Sequence, residues 1–301
     1  MRFINVEFLS KSGEGSQARE VEPKALRRAL KLKMPRVVGL FCASGKLRMV
    51  VSGSGDRLEM LESEEGRSFT RLEEKLPVKR CRHLRISSLD IGYLAVMERE
   101  GKGLTVSHSK DRKSWTNPRL AFRGEPSIRN GALVPDYQSN GFYLMFLGGS
   151  LLQVARSRDG LSWKRDPQLV VPIHGEIGET LEIDLAEKLP SGILLCFRMV
   201  RPLALGFKTR VQMALLDPHD PSRVLWQSST PIWENEPIEE KLTFGGAAVF
   251  RAQVYSCWNS SKTGPVLVSY RIPKIPFELP RDRSIALQKS KANPEIGRAH
   301  V

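Results

Sequence analysis

Four carboxylates, Glu125, Glu179, Glu182 and Asp184, are the candidate catalytic groups of this chain. Glu125 precedes Pro126 in a predicted loop. Thr180, Glu182 and Asp184 alternate with Leu181, Ile183 and Leu185, so a pleated strand would set the two acids on one face. Two acids about 5–10 Å apart across a bond can protonate a leaving oxygen and deliver a water or a nucleophile, the chemistry of acetal cleavage. A second set, Arg36, Arg82, His83, Arg85, Arg129 and Asn130, falls at the starts of other predicted strands. Converging guanidinium groups would hold a carboxylate or phosphate in bidentate fashion, whereas dispersed ones would form salt bridges. The few His and Cys residues have no metal-ligand spacing, so neither a metal nor a cofactor is expected.

The elements that must position these groups follow from a repeated turn. Ser63-Glu64-Glu65-Gly66-Arg67-Ser68-Phe69, Ser109-Lys110-Asp111-Arg112-Lys113-Ser114-Trp115 and Ser157-Arg158-Asp159-Gly160-Leu161-Ser162-Trp163 share the pattern Ser-x-acid-x-x-Ser-aromatic, starting 46 and then 48 residues apart. That is the period of a four-stranded propeller blade. The Ser and acid side chains would cap backbone N–H groups between the third and fourth strands, and the aromatic would drop between blades.

The predicted fold is therefore all-β, a five-bladed β-propeller over residues 35–280. An extension over 1–34 comprises an alternating strand (Met1–Leu9), a polar linker and a basic helix over Pro23–Leu32, and the first strand could close the ring. Blade one is expected over Val37–Pro77, blade two from about Arg82 to Phe122, blade three from about Arg129, blade four from about Thr180, and blade five over Gly246–Tyr270. Residues 281–301 form a tail in which Glu295–Val301 reads as a translated sequencing adapter.

In 301 residues, 47 Lys and Arg stand against 33 Asp and Glu, a net charge of +14 spread along the chain. Without aromatic–basic interleaving or a recognition motif, a nucleic-acid partner is not expected. No apolar run long enough to span a membrane and no signal segment is visible, so a cytoplasmic location is expected. Cys42, Cys81, Cys196 and Cys257 are expected to be buried free thiols.

From Gly131 the order of motifs resembles the five-bladed β-mannoside phosphorylase and mannosidase family. The matching segments are Gly131-Ala132-Leu133-Val134-Pro135-Asp136, Gly141-Phe142-Tyr143-Leu144-Met145, the Ala155–Trp163 turn, Ala214-Leu215-Leu216-Asp217, Asp220–Leu225 and Pro231-Ile232-Trp233-Glu234, and the likeness spans roughly residues 80–271. It implies an axial pocket that binds a β-linked oligosaccharide, with inorganic phosphate as a second candidate ligand. The family's inner-strand Asp-Pro-Arg, whose Asp donates a proton, reads here His83-Leu84-Arg85, and its Lys-Asp reads Arg129-Asn130. An amide carries no proton at neutral pH, so the resemblance leaves three readings open: an enzyme using another acid pair, a non-catalytic carbohydrate or anion binder, and a propeller used as an interaction platform.

Overall fold

A computed structural model of the chain describes residues 2–6, 18–21, 35–52, 57–99, 101–204, 206–235, 242–261 and 264–272. The described residues are all β, arranged as five sheets around an axis. The segment predicted as a basic helix and the adapter-like tail lie outside them.

Blade one is β3 (Arg36–Ala43), β4 (Lys46–Ser52), β5 (Leu58–Ser63) and β6 (Thr70–Leu72). Blade two is β7 (His83–Leu89), β8 (Gly92–Arg99), β9 (Gly103–Ser109) and β10 (Arg119–Leu120). Blade three is β11 (Gly131–Ser139), β12 (Phe142–Leu147), β13 (Leu151–Ser157) and β14 (Lys164–His174). Blade four is β15 (Thr180–Leu189), β16 (Gly192–Leu203), β17 (Gly206–Leu216) and β18 (Val224–Gln227), with β19 (Trp233–Asn235) also on β17. Blade five is β20 (Leu242–Phe250), β21 (Gln253–Ser260) and β22 (Gly264–Arg271). It is completed by β1 (Arg2–Val6), parallel to β22, and by β2 (Ala18–Val21) beyond it. The N-terminal strand thus joins the last blade, as expected.

The first strands β3, β7, β11, β15 and β20 line the axis, each touching the first strands of both neighbours. Between blades lie five apolar cores, one per interface, for example Leu144, Phe146, Leu195 and Phe197 between blades three and four. Gly39 of β3 lets the inner strands close up, because a Cβ there would lie 2.2 Å from the Leu84 carbonyl oxygen on β7.

The repeated turns join third to fourth strands, and their caps are those the residue types dictate. Asp111 Oδ1 accepts from the N–H groups of Lys113 (2.9 Å) and Ser114 (3.1 Å), and Asp159 Oδ1 accepts from those of Leu161 and Ser162 at 2.8 Å each. Ser63 Oγ accepts from the Gly66 N–H at 2.8 Å. Phe69 is buried between blades five and one, and Trp163 between blades two and three. Trp115 is only half-buried at the blade one–two interface, its Nε1 donating to the Lys75 carbonyl. The thiols also depart from expectation: Cys196 and Cys257 are buried, Cys81 is partly so and Cys42 is exposed.

Three inner strands carry a one-residue bulge at the same level of the axis: Val38 in β3, Asp184 in β15 and Gly245 in β20. A bulge breaks the two-residue alternation and re-aims the side chains around it. The simple pleat expected over Thr180–Leu185 therefore stops at Ile183.

Candidate functional site

The bulges ring a small axial cavity of about 60 Å³ whose walls include His83, Arg85, Glu98, Arg129, Asn130, Asp184 and Phe244. All five inner strands or the loops just before them contribute to it.

Of the four candidate acids, Asp184 lines this cavity and Glu182 stands close to it. Asp184 is buried, and its Oδ1 accepts from Arg198 Nε at 2.7 Å. Arg198, itself buried on β16, reaches with Nη2 to Glu182 Oε2 at 2.5 Å, so one guanidinium ties both acids together. Arg198 also lies 4.2 Å from the centre of the Phe244 ring, a cation–π contact. Burial pushes the Asp184 carboxyl up to about 7 against the pull of Arg198. Glu125 and Glu179 are not among its walls. Glu125 pairs with Arg165 beside a groove at the outer strands of blade three. Glu179 accepts from Arg210 of β17 at 2.6 Å.

The predicted ring of binding groups splits in the same way. His83 and Arg129 line the cavity, and Arg36 and Arg82 stand close enough to act electrostatically on His83. Among the described residues neither Arg36 nor Arg129 has an ion pair. Arg85 instead crosses the axis from β7 and donates through Nη2 to the carbonyls of Asp184 and Ala247, the latter at 3.0 Å. Asn130 is a clamp between blades: its Oδ1 accepts from the Ile183 N–H at 2.6 Å and its Nδ2 donates to the Ile183 carbonyl at 3.3 Å. Enclosure first, then the arginines Arg198, Arg36, Arg82 and Arg85, push His83 down to about 3, so its ring is neutral at neutral pH.

The site holds a fifth acid that sequence reading missed. Glu98, at the end of β8, pairs across the hairpin with His83 and lines the cavity. Its side chain is 15% accessible, with Oε1 3.7 Å from Arg82 Nη1 and Oε2 3.8 Å from His83 Nε2. Burial raises its carboxyl, and the negative charge of Glu182 raises it further. The signal was available: the two-residue turn Asp90–Ile91 pairs Leu89 with Gly92, and counting outward sets residue 98 opposite residue 83. The same counting fails for Arg198, because the Asp184 bulge shifts the register by one and Glu182 faces Arg198 rather than Met199.

No known family profile and no curated protein matches this chain. Its fold does match solved structures. A glycosyl hydrolase from Bacteroides ovatus superposes with a TM-score of 0.62 at 19% identity, over 81% of this chain and 85% of that one. A structure from the GH130 family of mannoside phosphorylases, described for glycoside hydrolases that target β-1,2 mannosidic linkages in Candida mannan, gives 0.61 at 18%, over 81% and 86%. The chain shares its five-bladed architecture with glycoside hydrolases. At these identities the likeness establishes the fold, and the chemistry has to come from the residues at the axis.

Proposed function

We propose that this chain is a carbohydrate-active propeller that takes a β-linked oligosaccharide at the mouth of its axial pocket. One observation carries the reading: Arg36, Arg82, His83, Glu98, Arg129 and Glu182 converge on one end of the axis of a fold shared with glycoside hydrolases. Fixed hydrogen-bonding groups of both signs beside the apolar edge of Phe244 suit a polyol with an apolar ring face. The cavity has room for a few water molecules only. The sugar therefore rests in the mouth, with Arg36 and Arg129 free to meet its oxygens or an accompanying phosphate.

Calorimetry with mannobiose, mannosyl-N-acetylglucosamine, other β-linked disaccharides and inorganic phosphate tests this. At least one disaccharide is expected to bind, and Arg129→Ala to weaken it by about 1.5–3 kcal/mol, the range for hydrogen bonds to charged groups. Folded protein that binds none of the panel would sink the reading.

A further inference from the structure

We propose that Glu98 is the proton donor of a glycoside-cleaving reaction at this mouth, with Glu182 as the base that activates water. The assignment rests on the carbohydrate reading above and adds to it a reaction and two roles.

Among the described residues these two carboxylates stand at the mouth with side chains that stay partly accessible, 15% and 36% exposed. Asp184 is 1% exposed in its pair with Arg198, Glu125 lies beside the outer strands of blade three, and Glu179 is 2% exposed in its pair with Arg210. The surroundings of the two acids differ. Arg198 holds Glu182 at 2.5 Å, which fixes it as an acceptor. The cationic neighbours of Glu98 stand farther off, Arg82 at 3.7 Å and a neutral His83 at 3.8 Å, beyond hydrogen-bonding distance. Burial raises the Glu98 carboxyl and the nearby charge of Glu182 adds to the rise, outweighing the pull of Arg82, Arg129 and Arg36, so Glu98 keeps its proton more readily than a free carboxyl. Two acids in environments that separate their roles are what acid–base cleavage of a glycosidic bond requires. The backbone fixes the donor in place, since the Arg82 N–H donates to the Glu98 carbonyl at 2.9 Å.

In the step itself Glu98 gives its proton to the bridging oxygen as the bond from that oxygen to the anomeric carbon breaks, and the bonding electron pair leaves with the oxygen as an alcohol. A water oxygen bonds to the anomeric carbon while its proton passes to Glu182. One water is consumed and two sugars are released. The proton on Glu182 returns through solvent to Glu98, restoring the starting state.

The test compares the β-linked disaccharide bound in calorimetry with the matching 2,4-dinitrophenyl β-glycoside, whose leaving group departs without a proton. Glu98→Gln is expected to lower kcat on the disaccharide by about 10²–10⁴-fold, the usual contribution of a positioned acid, while changing kcat on the dinitrophenyl glycoside by less than about tenfold. It should also remove the alkaline limb of the pH–rate profile, because that limb reports loss of the donor's proton. Binding of the disaccharide by Glu98→Gln shows that the variant is folded. Equal loss on both substrates overturns the donor role. A wild-type protein that binds the disaccharide and releases no monosaccharide overturns the reaction and leaves the carbohydrate reading intact; one that binds no sugar overturns both.

Discussion

Asn130 grips Ile183 by both ends of its amide, and Asn259 grips Val37 in the same way, with the Val37 N–H 2.7 Å from Asn259 Oδ1 and Asn259 Nδ2 2.8 Å from the Val37 carbonyl. In each case the clamp comes from one blade, and the residue it holds immediately precedes the bulge in the next blade's inner strand. The position that by resemblance should carry an acid is thus occupied by a fastening that only an amide can make.

Asn130→Asp is accordingly expected to destabilise the protein rather than to confer acidity at the mouth. The new carboxylate would still accept from the Ile183 N–H but would face the Ile183 carbonyl with no donor, at a cost of about 1–3 kcal/mol. Urea unfolding measures the difference, and an unchanged midpoint would remove the clamp from the account.

Arg85 and Arg129 should separate stability from binding. Arg85→Met leaves the carbonyls of Asp184 and Ala247 without their donor, about 1–3 kcal/mol for each one buried. Arg129→Ala should weaken sugar binding and leave the unfolding midpoint within about 0.5 kcal/mol, as for an exposed side chain. Calorimetry and urea titration on the two variants would expose a reversal of these roles.

The two turn tryptophans should also differ. Trp163→Ala opens a cavity between blades two and three and is expected to cost about 3–5 kcal/mol. Trp115→Ala removes a half-buried ring and should cost clearly less, read from the same thermal melts. Equal losses would mean that Trp115 is packed as tightly as its counterpart.

His83 and Asp184 give the pH dependence of stability opposite slopes. The unfolded chain protonates its histidine near 6.5, whereas folded His83 resists until about 3, so its contribution is whole above 6.5 and is lost as pH falls toward 3. Folded Asp184 takes its proton near 7 and the unfolded chain only near 3.8, so its contribution grows as pH falls through that window. Relative to wild type, His83→Asn should therefore gain stability between pH 7.5 and 4.5 and Asp184→Asn should lose it. Denaturant midpoints at the two pH values check both signs.

The blades were legible because each is local. Strand runs, the Ser–acid–aromatic turns and a spacing of 46 and 48 residues depend on neighbours in the chain, and they returned the blade count and the sites of the turns. The axis was less legible because its groups meet across blades. Nothing near Asn130 in sequence says that its amide will meet Ile183, and Arg85 reads equally well as a ligand for an anion or for two carbonyls. Glu98 could have been counted out from the Asp90–Ile91 turn. Arg198 could not, since a bulge at Asp184 leaves no mark in residue types that would distinguish it from a regular strand.

Arg85 has one more consequence. By reaching from β7 to the carbonyls on β15 and β20 it walls off the mouth from a larger cavity of about 230 Å³ on the other side, lined by Phe41, Cys42, Ser87 and Glu187. The ring is a cup rather than a pipe. A sugar chain taken at the mouth as proposed would be presented end-on rather than threaded through, and anything released from it would back out along the path by which it came.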